Sequence, residues 1–329
     1  ANAVTALTIT GHNASTANPH ATDIGNLAAG TMLELDTAIS DGSVAPQWAN
    51  TIYVSKDGDD GAPTDFGYLT IGAALAAAAA GDSVFVAAGT YTESISVPAS
   101  VTLFGPGVDM IGDGSPNILQ GTLSWVDLRS LHVPDGQVGI VQATAAGTPG
   151  HDIKSMIVGA GSIGIINTAA DGILTSLGGT CLVGAAGICW GDLASSDGHI
   201  DVNWENCYAT GAGGTCFATF GAGEIVGRLG HAIDRLGTLT LAQVSGTGGV
   251  ELVIGEVETT TGLVATGTAS AKIITNEWET TNSSNLAAGT EFWLYANEYS
   301  GAEVGAGTLH KVVGEELINY SDITAGYLA

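Results

Sequence analysis

Residues 250–318 contain one short sequence motif four times, and this repeat decides the fold. The copies are VELVIGEVET (250–259), AKIITNEWET (271–280), EFWLYANEYS (291–300) and LHKVVGEELI (309–318). Each copy has an apolar or alternating run, then Gly or Asn, then a glutamate and another apolar or aromatic residue. The marker glutamates are Glu256, Glu277, Glu298 and Glu315. A repeat of about 20 residues is typical of a solenoid.

A single copy of the repeat cannot bury its own apolar face, so successive copies must stack to form a core. The copies are rich in β-branched and aromatic residues, which favours strands over helices. Similar strand-like runs precede them, at 123–133, 151–158, 179–190, 199–209, 224–230 and 239–244. We therefore predict an all-β fold, a parallel β-helix over residues 50–318, followed by a tail at 319–329 that leaves the repeat.

The composition suits stacked strands and restricts the partners. Charged residues make up only 12% of the 329 residues, and the 49 glycines fit many short turns. The 33 acidic and 7 basic residues give a net charge of −26, which disfavours nucleic acid and anionic membranes as partners. We interpret the acidic surface first as a source of solubility, and second as an attraction for divalent cations.

The sequence carries no targeting signal that we recognise. No uninterrupted apolar run approaches the roughly 18 residues of a membrane span, so no membrane insertion is expected. The first residues, ANAVTALTITGHN (1–13), have neither a basic nor an apolar signal region. We therefore expect synthesis in the cytoplasm without a secretion signal.

The four cysteines are Cys181, Cys189, Cys207 and Cys216, and none forms a Cys-x-x-Cys motif. Cys181 and Cys207 are separated by close to one solenoid turn, as are Cys189 and Cys216. This spacing favours stacked, buried side chains that pack in the core. A disulfide and a metal site remain as alternatives.

Residues 51–105 contain the most specific pattern in the chain. A strand and an acidic turn are followed by YLTIGAALAAAAAGD (68–82), predicted as a short helix that ends at Gly81, and by further strands. This order resembles the N-terminal cap and first coils of right-handed parallel β-helix proteins of the pectin-lyase-like kind. The matching positions are Tyr53, Val54, Thr70, Ile71, Ala74, Leu75, Ala78, Gly81, Asp82, Val84, Val86, Gly89, Thr90, Tyr91, Glu93, Ile95, Val97, Pro98, Val101, Thr102, Leu103 and Gly105.

That resemblance implies a right-handed solenoid with a short helix covering the open end of its first coil. Such a cover protects an edge that would otherwise pair with other chains. The acidic residues of the preceding turn are Asp57, Asp59, Asp60 and Asp65. We interpret them as a solvated turn, with a Ca²⁺ loop as the alternative, since the spacing is not that of an EF-hand.

Residues 1–49 differ from the body and are predicted to form an arm for attachment or oligomerisation. Residues 28–40 have a partial helical face, which must dock on another surface because it cannot fold alone. The stretch TANPHATDIGNL (16–27) resembles Asn-Pro-His-containing segments of bacteriophage tail-fibre collars and connectors. We interpret His12 and His20 as polar loop residues, with a metal-binding histidine cluster as the alternative.

The marker glutamates are predicted to stack as a ladder on adjacent rungs, where like charges repel. They can point into water, accept hydrogen bonds from turn amides, bridge a cation such as Ca²⁺, or bind sugar. Glu256, Glu277, Glu298 and Glu315 are therefore weak metal-site candidates. The Gly or Asn before each glutamate predicts a bend in the left-handed region.

Parallel β-helices also host polysaccharide lyases and hydrolases, so catalysis needs a test. Glu256–Glu277, Glu277–Glu298, Glu258–Glu279 and Asp201–Glu205 are carboxylate pairs of suitable predicted spacing. Trp204, Trp278, Trp293, Tyr295 and Tyr299 are candidate sugar contacts. The glutamates recur too regularly for an active site, and no basic residue recurs beside them. We therefore predict no catalytic residues, no cofactor and no enzymatic activity.

Together these features predict a non-enzymatic virion protein: a phage tailspike, tail fibre or capsid decoration that presents a rigid β-helix on the particle surface. The implied partners are two further copies in a homotrimer, other virion proteins bound through the arm, and a host surface glycan for attachment. The alternative function is a polysaccharide-degrading depolymerase or lyase, and the alternative location is secreted or at the cell surface.

Overall fold

The computed structural model describes residues 50–61, 67–142, 147–193, 198–234, 236–266, 268–305 and 307–313. The predicted arm (1–49), the tail (319–329), Asp65 and Glu315 lie outside the described residues. The description below therefore concerns the unit that begins at Ile52.

The described chain forms a right-handed parallel β-solenoid of about eight turns, which confirms the predicted fold class. Its single described helix is α1, Ile71–Ala77. The strands are β1 Thr51–Val54, β2 Ser83–Val86, β3 Gly89–Thr92, β4 Ile95–Val97, β5 Thr102–Ile111, β6 Ile118–Gln120, β7 Trp125–Val133, β8 Val138–Gln142, β9 Gly150–Val158, β10 Ile163–Asn167, β11 Ile173–Val183, β12 Ile188–Asp192, β13 His199–Ala209, β14 Gly214–Thr219, β15 Glu224–Ile233, β16 Leu239–Val244, β17 Gly249–Ala265, β18 Ser270–Leu286, β19 Glu291–Gly305 and β20 Thr308–Val313.

In the described part of the chain, the strands of two ladders pair in parallel and connect each rung with the next. One ladder runs β5–β7–β9–β11–β13–β15–β17–β18–β19–β20, and a second runs β4–β6–β8–β10–β12–β14–β16. The 17-residue strand β17 pairs with both β15 and β16, so the two ladders merge in the last rungs. The predicted runs at 199–209 and 239–244 coincide with β13 and β16.

The core lies inside the coil, because alternate side chains of each strand point inward. Apolar residues at equivalent positions of successive rungs stack there in columns. One such column consists of Met110, Leu131, Met156, Cys181 and Cys207. All five side chains are fully buried. Stacking in register means that each residue is covered by its counterpart one rung away, as the repeat requires.

The helix α1 packs its buried face, Ile71, Ala74 and Leu75, at the start of the coil against β2 and β4. Thr70 is its N-cap and accepts a hydrogen bond from the Ala73 amide at 3.2 Å. The predicted end at Gly81 was wrong, because Ala78 already has extended backbone. Among the described residues, no helix is long and apolar enough to cross a membrane.

The cysteines stack as the spacing predicted. Cys181 pairs with Cys207 in register, and the flanking pairs of β12 and β14 place Cys189 opposite Cys216. Cys181 and Cys189 form a disulfide across the core, whereas Cys207 and Cys216 are buried thiols. Core packing, the favoured prediction, is confirmed for all four, and the disulfide alternative holds for one pair.

The interior also holds a polar network that the sequence reading missed. His151 is fully buried, with Nδ1 3.1 Å from Gln120 Oε1 and Nε2 3.0 Å from Ser176 Oγ. The Trp190 and Trp204 indoles both donate to Ser176 Oγ, at 3.2 and 2.9 Å. Burial lowers the pKa of His151 to about 3, so this imidazole is neutral in the folded protein.

Candidate functional site

The carboxylate ladder, Glu256, Glu277 and Glu298, forms on three adjacent rungs. Glu256 of β17 pairs in register with Glu277 of β18, which pairs with Glu298 of β19. Each step of 21 residues, from Glu256 to Glu277 and from Glu277 to Glu298, therefore corresponds to one turn. Burial and the neighbouring charges of Glu256 and Glu298 raise the pKa of Glu277.

Two residues that sequence reasoning did not single out extend this column. Asn206 of β13 pairs with His231 of β15, and His231 pairs with Glu256. His231 Nδ1 is 2.9 Å from Asn206 Oδ1, and Nε2 is 3.6 Å from Glu256 Oε2. The signal was present in the sequence as a one-turn spacing between His231 and Glu256.

A second column runs beside the ladder. Glu258 pairs in register with Glu279, and both line a shallow surface depression with Asp234, Thr280 and Ser300. The Asp234 amide donates to the Glu258 carbonyl at 2.9 Å, and the Thr260 hydroxyl donates to the Asp234 carboxylate at 2.5 Å. Carboxylate oxygens of this kind are ligands that Ca²⁺ accepts, and cation binding stays a prediction.

The residues before the glutamates do not have the predicted backbone. Gly255, Asn276 and Asn297 do not have positive backbone φ angles, so the predicted left-handed bend was wrong. Lack of space explains why position 255 is a glycine, because a Cβ there would lie 2.5 Å from the Gly230 carbonyl oxygen of the preceding rung. The Asn297 side-chain amide donates to Asn276 Oδ1 at 3.2 Å, which connects the adjacent strands β18 and β19.

Two of the predicted sugar contacts lie in the core. Trp278 is 0% exposed and packs against Phe292 with ring centroids 5.7 Å apart. Trp204 is likewise buried, and its indole donates to Ser176. The prediction that these rings contact glycan was wrong, because both rings occupy inward positions of their strands.

The other aromatic candidates lie on the outer surface of the last rungs. Trp293 is 39% exposed and stacks on His310, with centroids 3.9 Å apart and planes at 13°. Tyr295, two residues along β19, is partly exposed. Tyr299 lies beneath the Lys311 ammonium, with Nζ 4.0 Å from the ring centroid. Trp293 and Tyr295 therefore keep the ring access that sugar stacking needs.

Two of the remaining acidic candidates, Asp201 and Asp60, have local partners. Asp201 Oδ1 is 3.6 Å from His199 Nε2 on the same strand, β13, which also carries Glu205. In the acidic turn, the Asp60 carboxylate accepts hydrogen bonds from the Leu69 and Thr70 amides and the Thr70 hydroxyl. Slight burial raises the pKa of Asp60, but these hydrogen bonds outweigh it and lower the pKa overall.

The fold and these columns define the class: a parallel β-solenoid whose outer surface carries stacked carboxylates and, on its last rungs, exposed aromatic rings. No protein-family model matches the chain, and comparison with curated proteins and with solved structures finds no match.

Proposed function

We propose that the chain is a non-enzymatic structural protein of a virus particle, a phage spike, fibre or capsid decoration that presents a rigid β-helix for adsorption to surface glycans. The observation that carries the proposal is the register of the rungs. From β17 through β18 to β19 the strands pair in register at this column, so the carboxylates of Glu256, Glu277 and Glu298 recur as part of the repeat. A repeated surface suits display and multivalent contact.

Assembly into a homotrimer is supported by an aromatic strip at the N-terminal end of the solenoid. Tyr53, Phe85 and Phe104 are 42%, 38% and 41% exposed, with neighbouring ring centroids 5.8 and 5.6 Å apart. Contiguous exposed aromatic rings are unusual on a monomer and typical of interfaces. We assign this strip to contact with further copies of the chain.

Sedimentation equilibrium tests the assembly. We expect a species of three times 32.8 kDa for the full chain, and a shift towards monomer when Phe85 and Phe104 are both replaced by serine. A stable wild-type monomer across micromolar concentrations would contradict the trimer.

Adsorption is tested on immobilised oligosaccharides. We expect Trp293→Ala to lose binding, because the exposed ring supplies the stacking surface. Leu236→Ala removes an exposed apolar side chain elsewhere and should bind like the wild type. Equal binding by wild type and Trp293→Ala would remove this surface from the proposal.

Polysaccharide cleavage is the second candidate function, favoured by the raised pKa of Glu277, since a glycosidase acid must hold its proton near neutral pH. An oligosaccharide-cleavage screen separates the two proposals. We expect no cleavage by the wild type. Cleavage that is lost in Glu277→Gln and retained in Glu291→Gln would contradict the non-enzymatic proposal and support polysaccharide cleavage.

A further inference from the structure

The four cysteine sulfurs form one cluster inside the solenoid, on two adjacent rungs. Cys181 and Cys189 are bonded on the lower rung. On the upper rung, Cys207 Sγ lies 2.8 Å from Cys216 Sγ and 3.5 Å from Cys189 Sγ. All four residues are fully buried. The cluster therefore lies in the core, away from the carboxylate ladder and the exposed aromatic rings.

The upper pair occupies the same positions in the strands as the lower pair, one rung further along. Cys207 covers Cys181 in one column, and Cys216 covers Cys189 in the other. The 2.8 Å between the upper sulfurs is shorter than the roughly 3.5–4 Å at which non-bonded heavy atoms pack. Two protonated thiols would repel each other at that separation, whereas a covalent bond removes the conflict.

We propose that Cys207 and Cys216 form a second disulfide, stacked directly on the first. Each thiol loses its hydrogen as the S–S bond forms, and the two electrons and two protons pass to an oxidant, either dioxygen or a small-molecule disulfide such as oxidised glutathione. The mature solenoid then carries two parallel covalent bridges across its core. Disulfides of this kind persist in oxidising surroundings, so the folded protein is suited to a place outside a reducing cytoplasm.

A tetrathiolate metal site fits the cluster less well. Zinc needs four thiolates at about 2.3 Å in tetrahedral arrangement, which separates the sulfurs by more than 3.5 Å. The Cys181–Cys189 bond removes two ligands, and the upper sulfurs are too close together. Burial also raises the pKa of Cys216, which opposes thiolate formation in the folded core. Oxidation is therefore expected before or during folding.

The sequence makes the pairing easy to read by mass spectrometry. Cleavage after acidic residues releases residues 172–192, which contain Cys181 and Cys189, and residues 206–224, which contain Cys207 and Cys216. The full chain is refolded in a glutathione redox buffer, denatured with iodoacetamide and without reductant, and then digested. We expect no alkylation, and each fragment should be lighter by about 2 Da than after reduction, the mass of two hydrogens.

Two alkyl groups on residues 206–224 would overturn the proposal, with or without a stoichiometric metal in the intact protein. A covalent link between the two fragments would also overturn it, since it would show a disulfide between the two rungs instead. As a matched control, the Cys181→Ala/Cys189→Ala variant should still show an oxidised 206–224 fragment. The Cys207→Ala/Cys216→Ala variant should keep only the oxidised 172–192 fragment.

Discussion

At the scale of single residues, Glu93 connects the helix to the solenoid. Its carboxylate accepts hydrogen bonds from the Ile71 and Gly72 amides, at 3.0 and 2.8 Å, the first free amides of α1. A helix start leaves these amides without helical partners and attracts negative charge. Glu93 lies between β3 and β4, so this one side chain holds the cover against the first coil.

We predict that Glu93→Ala lowers the free energy of unfolding by about 1–2 kcal/mol, the usual effect of losing a helix cap. Urea denaturation followed by circular dichroism measures the change. Glu291→Ala, at an exposed position on β19, is the control and should lie near the wild type. Equal midpoints for both variants would show that the Glu93 contacts contribute nothing.

His151 makes the stability depend on pH. Its pKa falls from the ordinary 6.5 to about 3 on folding, because burial disfavours the charged imidazole. Between those values the unfolded chain binds more protons than the folded one, so stability falls as the pH drops from 6.5 towards 3. Gln120 and Ser176 are its neutral hydrogen-bond partners, and neither supplies a compensating charge.

We predict that His151→Gln makes the pH dependence of unfolding shallower than in the wild type by up to about 1.4 kcal/mol per pH unit in that window. The measurement is the unfolding free energy of both proteins at several pH values from 6.5 to 4, and the difference between the two is plotted against pH. The contributions of carboxylates that both proteins share cancel in this difference. If the unfolding free energies of the two proteins changed equally with pH, His151 would be accessible to protons in the folded state.

At the scale of elements, the close approach of neighbouring rungs within the long strands explains why glycine recurs at positions 230 and 255. A Cβ on Gly230 would lie 2.4 Å from the Glu205 carbonyl oxygen of the preceding rung, although its φ is not positive. Gly191 provides the contrast, since a Cβ there would have no contact shorter than 3.6 Å. Lack of space, and not backbone conformation, therefore selects glycine at position 230.

We predict that Gly230→Ala costs about 1–3 kcal/mol, as overpacking does in a dense interior, because backbone must move to make room. Gly191→Ala should be neutral or slightly stabilising. Thermal unfolding of both variants under identical conditions gives the comparison. If Gly191→Ala destabilises as much as Gly230→Ala, the argument from space fails.

The sequence predicted most of this element-level structure for a physical reason. Each rung must match its neighbour, so spacing alone placed Glu256 beside Glu277 and Cys181 beside Cys207. Spacing does not report which way a side chain points, and the inward position of Trp278 was therefore missed. His151 and Ser176 were missed because a buried polar contact between rungs leaves no apolar pattern in the sequence.

At the scale of the whole molecule, the chain has a net charge of −26, so self-repulsion opposes folding. The ladder concentrates that repulsion: the raised pKa of Glu277 means that the folded state holds its proton more readily than the unfolded chain. Stability is therefore lost as the pH rises through the range above 4.5, and salt should restore part of it.

We predict that raising sodium chloride at pH 7 raises the unfolding midpoint, and that Glu277→Gln reduces this dependence because one charge of the ladder is gone. Calcium chloride at matched ionic strength should act no differently from sodium chloride if the ladder is solvated, since screening depends on ionic strength alone. A calcium-specific increase that disappears in Glu277→Gln would instead show a cation bridging the rungs, because a ligand that binds only the folded state stabilises it by mass action. Glu291→Gln removes one negative charge outside the ladder and separates the local effect from the change in net charge.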